Sequence, residues 1–149
     1  MLIGIDTSFL VQFEVIESNA HRAARAWAEE RVGAQDHFAI SPQVLFEFIH
    51  VVSDPKRFGR PLSVEAALAR SMAWWSAAET KRLTFGDASM ELFKMLMIDH
   101  KLGRKRILDT ALAATFASQR ITHVASYNWR DFAALGDFTV HSPGAKRVK

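Results

Sequence analysis

The fold is decided by the stretch Met1-Leu2-Ile3-Gly4-Ile5-Asp6-Thr7-Ser8-Phe9-Leu10-Val11, in which an apolar run of strand length ends on a carboxylate. Two hydroxyl side chains follow, and then the apolar residues resume. We predict a buried first strand ending at Asp6 and a helix from about Phe9 that Thr7 or Ser8 caps. Ligands of open parallel sheets bind outside the carboxyl ends of the strands. Asp6 is therefore a candidate site residue, although an Asp is equally common there as a simple cap or turn residue.

The composition indicates one globular domain. The chain has 149 residues, of which 49% are hydrophobic and 23% charged, so we predict a single domain over residues 1–149 with a flexible tail over about 142–149. The apolar runs fall short of the ~20 residues of a membrane helix, and the signal-peptide pattern is absent; we therefore expect a cytoplasmic protein that does not enter a membrane. The absence of cysteine excludes disulfides, thiolate metal sites and a cysteine nucleophile.

Strand and helix patterns alternate along the chain. After the first strand, further strands are predicted at His37–Ile40, at about Arg82–Phe85, at Ile121–Ser126 and at Phe138–Val140. Helical patterns fill the intervals between them. Right-handed crossovers would build a three-layer α/β/α fold, in which a mainly parallel central sheet of about four to five strands has helices on both faces.

A second candidate acid lies on a buried helix. The segment Pro42–Val52 is apolar nearly all round, and Glu47 shares the face of Val44 and Val51. An ionised carboxylate on such a face is costly unless it is paired, hydrogen-bonded or bound to a cation. A salt bridge to one of the 19 lysines and arginines would also explain Glu47.

Two later segments bring acids to the same predicted edge of the sheet. Asp109 lies at the start of a helix rich in small residues, where an N-cap role alone would explain it. Asn128 and Asp131 follow the strand predicted at Ile121–Ser126. Together with Asp6 and Glu47, these side chains form a predicted acidic cluster at the carboxyl edge.

Clustered carboxylates need a counter-charge, because their mutual repulsion raises their pKa values. A divalent cation supplies that charge, and oxygen ligands without cysteine favour Mg²⁺ or Mn²⁺ over Zn²⁺. The six histidines lack the H-x-x-x-H spacing of a zinc site. Mg²⁺ held by carboxylates keeps waters that can be activated for in-line attack on a phosphodiester. The net charge of +3 permits an anionic partner without requiring one.

The segments that carry these acids resemble, in order, the four motifs of a PIN domain, and in particular those of the VapC type, the ribonuclease toxins of bacterial toxin–antitoxin pairs. The resembling segments are Ile5–Leu10, Gln43–Phe48, Ile107–Ala114 and Tyr127–Phe132. The resemblance spans essentially the whole chain. It implies a three-layer fold around a parallel sheet, Mg²⁺- or Mn²⁺-dependent cleavage of RNA, a homodimer, and silencing by an antitoxin peptide that covers the acidic pocket.

The resemblance also implies residue roles. Asp6, Glu47 and Asp109 would be the metal-binding catalytic acids, and a hydroxyl at Thr7 or Ser8 would support them.

The fourth motif leaves alternatives open. Many relatives carry an Asp beside the asparagine of this motif, whereas here Trp129 follows Asn128. Two interpretations are open: Asp131 is the missing catalytic carboxylate, or Asn128 is a neutral ligand or substrate contact. If neither holds, a three-acid site with one metal remains.

Basic residues near the predicted site are candidates for phosphate contacts. They are Arg104, Lys105, Arg106 and Arg130. Each would also be explained as a solvated surface residue. Two other functions fit the same residues: a housekeeping RNA-processing PIN nuclease, and a PIN-like module that binds RNA or protein without cutting.

Overall fold

The computed structural model describes residues 1–146 and is built on a five-stranded sheet. The strands are β1 (Leu2–Ile5), β2 (His37–Ile40), β3 (Thr80–Arg82), β4 (His123–Ala125) and β5 (Thr139–His141). Their order in the sheet is β3-β2-β1-β4-β5, and every neighbouring pair is parallel. The predicted sheet is confirmed, and all five strands are parallel. The central position of β1 agrees with its uninterrupted apolar sequence, since such strands are covered on both faces.

Seven α-helices cover the sheet within the described residues. They are α1 (Thr7–Glu14), α2 (His21–Gly33), α3 (Pro42–Val52), α4 (Val64–Ser76), α5 (Asp87–Asp99), α6 (Ile107–Ser118) and α7 (Trp129–Ala133). On one face, Phe38 of β2 contacts the rings of Trp27 in α2 and Trp74 in α4. On the other face, Gly4 of β1 lies against Phe116 of α6. The predicted three-layer α/β/α architecture is confirmed. None of these helices, over residues 1–146, has the length and apolarity needed to cross a bilayer.

The start of α1 differs from the prediction. The helix begins at Thr7, with Asp6 as its N-cap residue and no side-chain cap hydrogen bond. The prediction that Thr7 or Ser8 caps the helix was therefore wrong. Both hydroxyls are instead donated to carboxylates, that of Thr7 to Glu47 and that of Ser8 to Asp6, each at 2.6 Å.

The predicted tail falls partly within the described residues. Ser142 donates its hydroxyl to the carbonyl oxygen of Ser126 at 2.5 Å, and the carbonyl oxygen of Pro143 accepts the Tyr127 hydroxyl at 2.7 Å. These bonds tie the chain after β5 to the loop after β4. Residues 147–149 of the predicted tail lie outside the described residues.

Replacing Gly4 by alanine is expected to destabilise the fold by about 1–3 kcal/mol, the usual cost of overpacking a core. A Cβ atom at Gly4 would lie 2.8 Å from two ring atoms of Phe116, which is fully buried and packs on Phe132. Chemical denaturation measures the effect. Gly103→Ala is the control, because an added Cβ there would meet nothing within 4 Å. Equal free energies of unfolding for the two variants would contradict the prediction.

Candidate active site

The Asp6 carboxylate lies at the carboxyl end of the central strand. Its residue is only 3% exposed. The hydroxyls of Ser8 and Ser126 donate to its Oδ2 atom at 2.6 and 2.7 Å. Burial raises the pKa of Asp6, the hydroxyl hydrogen bonds oppose this rise, and the charge of Glu47 adds to it. Asp6 is therefore a tightly held carboxylate on which a proton or a cation is favoured.

Ser126 is a functional residue that the sequence analysis missed. It is fully buried, and its hydroxyl oxygen accepts the backbone N–H of Asn128 at 2.9 Å while it donates to Asp6. The register of β1 against β4 would have identified Ser126. Ile5 pairs with Ala125 in neighbouring parallel strands, so the residues that follow them, Asp6 and Ser126, are brought to the same height.

Glu47 reaches the site from α3. Its Oε2 atom accepts the hydroxyl of Thr7 at 2.6 Å, across 40 residues of sequence. Within residues 1–146, none of the ion pairs involves Glu47. The alternative of a buried salt bridge is thus not what holds this side chain. The Thr7 hydroxyl holds it, and the charge of Glu47 raises the pKa of Asp6.

Asp109 is electrostatically coupled to the other acids. It is the third residue of α6, whose N-cap is Arg106, so it lies in the first turn and is not the cap. Its pKa is raised to about 6, first by burial and then by the charges of Asp6 and Asp131, with a smaller contribution from Glu47. The structure therefore brings the predicted acids within electrostatic reach of one another.

Asp131, the candidate for the fourth acid, forms an ion pair with Arg106. The guanidinium of Arg106 donates to the Oδ1 atom of Asp131 at 2.9 Å. It also donates to the backbone carbonyl oxygen of Asp131 at 3.2 Å. Asp131 therefore differs from Asp6 and Glu47, which are held by hydroxyls. The Asn128 side chain is exposed beside it.

The four predicted RNA-binding residues differ in their exposure and contacts. Arg104 and Lys105 are exposed on a 3₁₀ turn, Arg104–Arg106, that immediately precedes α6. Arg106 is engaged by Asp131. The guanidinium of Arg130 lies 5.2 Å from the centre of the Trp129 ring.

The candidate ligands offer carboxylate oxygens, the type of ligand that a hard divalent cation prefers. Burial and the charges of neighbouring acids raise the pKa values of Asp6 and Asp109, and a cation would oppose that rise. Among residues 1–146, no three acidic or imidazole side chains stand close enough together to form a metal-binding group. The hydroxyl tethers of Asp6 and Glu47 hold these two carboxylates individually in this arrangement.

A family model described as the PIN domain matches residues 3–137, which is most of the chain. The chain belongs to the PIN domain family. The four segments that resemble the PIN motifs all lie within the matched residues. No curated protein sequence matches the chain significantly.

Solved structures share the PIN fold of this chain at low sequence identity. VapC20 of Mycobacterium tuberculosis, described as a Sarcin-Ricin loop cleaving toxin, superposes with a TM-score of 0.65 at 20% identity, covering 91% of this chain and 97% of its own. VapBC2 of Rickettsia felis, bound to a DNA fragment from their promoter, gives 0.66 at 16% identity, with coverage of 95% and 98%. FitAcB of Neisseria gonorrhoeae gives 0.62 at 15% identity, with coverage of 96% and 98%.

Proposed function

We propose that this chain is a metal-dependent endoribonuclease that hydrolyses RNA phosphodiester bonds and acts as the toxin of a toxin–antitoxin pair. The observation that carries the proposal is that the carboxylates of Asp6 and Glu47 are held by neutral hydroxyls and not by cationic side chains. Membership of the PIN domain family supports it. Likeness in fold to VapC20, a toxin described as cleaving the Sarcin-Ricin loop, supports the toxin role.

Asp6, Glu47 and Asp109 are the residues that hold the cation, which we propose to be Mg²⁺ or Mn²⁺. When bound, such an ion neutralises charge on the phosphate and lowers the pKa of water. The side chains themselves provide a negatively charged, partly buried set of oxygen atoms at one edge of the sheet. Asp131 completes the acidic set at its rim, where the ion pair with Arg106 offsets its charge.

Three hydroxyls position these acids. Ser8 and Ser126 hold Asp6, and Thr7 holds Glu47. Because hydroxyls are neutral, they fix the direction of each carboxylate without cancelling its charge. A lysine or arginine in their place would reduce the attraction for a cation. The site is therefore oriented and remains anionic.

The substrate approaches from the basic rim. Arg104 and Lys105 are exposed directly before α6, and we propose that they contact RNA phosphates. For partners, we propose a homodimer and a cognate antitoxin that covers the acidic site, in the cytoplasm. The likeness in fold to VapBC2 and FitAcB supports a partner of this kind.

The test is a cleavage assay on mixed cellular RNA with Mg²⁺, with Mn²⁺ and with chelator. We expect cutting with either metal and none with chelator. A preparation shown to be free of bound inhibitor that cuts no RNA would contradict the nuclease and leave a non-catalytic binding module. Growth arrest on expression, relieved by a small protein encoded beside the gene, separates a toxin from a housekeeping RNA-processing nuclease.

A further inference from the structure

The loop that follows β4 opens a cavity beside the acids. The cavity has a volume of about 300 Å³ and is lined by Tyr127, Asn128, Trp129, Arg130 and Asp131. Asp131 is paired with Arg106, the N-cap residue of α6, and Asp109 lies in the first turn of that helix. The cavity therefore adjoins the start of the helix that carries Asp109.

Within residues 1–146, Trp129 is an exposed aromatic residue that does not take part in the packing of the core. Its residue is 42% exposed, and it lies outside the apolar cluster that forms the core of the described residues. The guanidinium of Arg130 lies 5.2 Å from the centre of its ring. An exposed indole next to an exposed cation forms a flat surface that carries positive charge. Aromatic rings of this kind bind unstacked nucleobases, and arginines beside them bind phosphates or stack in turn.

Hydrogen bonds fix the loop relative to Asp6. The backbone N–H of Tyr127 donates to the Ser8 hydroxyl, and that of Asn128 to the Ser126 hydroxyl, each at 2.9 Å. Both hydroxyls also donate to Asp6. The residue after Asn128 is Trp129, so its backbone is held close to the hydroxyls that position the catalytic carboxylate.

We propose that Trp129 stacks on an unpaired nucleobase of the RNA, next to the bond that the acids cut, with Arg130 contacting an adjacent phosphate. This inference rests on the proposed function and names its substrate class. A base inside a duplex is already stacked on its neighbours, so the substrate is single-stranded RNA or an RNA loop. The exposed side-chain amide of Asn128, in the same cavity, offers a donor and an acceptor to the edge of the stacked base.

RNA is favoured over a protein partner by the charge around the ring. Arg130 adjoins the indole, and Arg104 and Lys105 are exposed on the turn whose third residue, Arg106, pairs with Asp131. RNA is strongly anionic and would be repelled by the acids, so cationic side chains beside the site are needed for it to bind there.

The experiment compares Trp129→Ala, Trp129→Phe and Trp75→Ala. Trp75 of α4 is the control for an indole beside an arginine away from the acids, because Arg82 of edge strand β3 lies 5.2 Å from its ring centre, as Arg130 does from that of Trp129. Since Trp75 also packs against the core, circular dichroism checks that its variant is folded. Affinity is measured in the Asp6→Asn background by fluorescence anisotropy of a labelled single-stranded oligoribonucleotide of random sequence. We expect Trp129→Ala to weaken binding roughly ten- to a hundredfold, as loss of one base–aromatic stack does. We expect Trp129→Phe to restore most of it and Trp75→Ala to have no effect.

Kinetics provide the second readout. With the catalytic acids intact, Trp129→Ala is expected to raise KM by a similar factor with little change in kcat, because stacking binds substrate and transition state alike. A fully paired RNA duplex should bind equally to the wild type and to Trp129→Ala.

The outcomes separate this inference from the proposed function. Wild-type cleavage with equal RNA affinity of the Trp129→Ala and Trp75→Ala variants overturns the stacking role alone. A Trp129→Phe variant as weak as Trp129→Ala also overturns it. So does a changed oligomeric state with unchanged RNA affinity, which would make Trp129 a protein contact. Absence of any cleavage by the wild type overturns the proposed function and the inference with it.

Discussion

Replacement of Asp6 or Asp109 by asparagine is expected to reduce metal-dependent RNA cleavage at least about a thousandfold, because each variant would lose a proposed ligand of the ion, which would contribute several kcal/mol to catalysis. Asparagine keeps the shape of the side chain, so packing is preserved. At Asp6 it also keeps an oxygen that can accept the hydroxyls of Ser8 and Ser126. The rate is measured with the RNA assay at saturating Mg²⁺ or Mn²⁺, and circular dichroism checks that each variant is folded.

Asp87→Asn is the matched control for Asp109→Asn. Asp87 also lies in the first turn of its helix, α5, but it is exposed. We expect its variant to cleave RNA at the wild-type rate. Full cleavage by both Asp6→Asn and Asp109→Asn would refute the metal-dependent nuclease, whatever the control shows.

Without metal, Asp109→Asn is expected to be more stable than the wild type above about pH 6. The pKa of Asp109 is raised to about 6 in the folded chain, from an ordinary value of 3.8. The folded state therefore binds this proton more tightly than the unfolded state, so wild-type stability falls as pH rises from about 4 to about 6 and stays lower beyond. Asparagine does not ionise, so the Asp109→Asn variant does not lose stability in this way as pH rises. Thermal melts in chelator at pH 4 and pH 7.5 measure the difference, which should be present only at the higher pH.

Metal is expected to offset most of that difference in stability. At a concentration about a hundredfold above its Kd, a ligand of the folded state adds about 2.7 kcal/mol, which corresponds to a rise in Tm of roughly 5–10 °C for a chain of this size. The wild type and Asp87→Asn should show this rise with Mn²⁺ at pH 7.5, and Asp6→Asn and Asp109→Asn should not. Equal rises in all four proteins would indicate cation binding elsewhere on the chain.

Most of the sheet could be predicted from the sequence because its inner strands are short apolar runs bounded by turn or cap residues. The edge strand β3 is instead polar, Thr80-Lys81-Arg82, and the strand predicted at about Arg82–Phe85 overlaps it only at Arg82. The runs at Leu2–Ile5 and His37–Ile40 are bounded by Asp6 and by the Ser41-Pro42 pair. Strand periodicity and the crossover rule then leave few arrangements. Asp6 follows the central strand, and Asp109 lies in the first turn of α6, the helix that leads into β4. A helix that leads into a parallel strand begins near the carboxyl edge of the sheet, so both residues are predicted at that edge.

The hydroxyl contacts could not be predicted in the same way. Thr7 and Ser8 carry the local signal of a helix cap, yet Thr7 is engaged by Glu47, which is 40 residues away. Ser126 has no signal of its own, because a serine after a strand is common and only the register of β1 against β4 places it beside Asp6. Long-range competition for a hydroxyl depends on the assembled fold, which local sequence does not report.

The hydrogen bond between Ser126 and Asp6 has a consequence for the protein during its own synthesis. It joins residues 120 positions apart, and β4 forms one of the two flanks of the central strand. A growing chain that ends before β4 has made Asp6, Glu47 and Asp109, but it lacks the strand and the hydroxyl that complete their setting. A ribosome translating the message therefore carries an unassembled site for most of elongation, and the proposed nuclease is assembled only after nearly all of the described chain has been made.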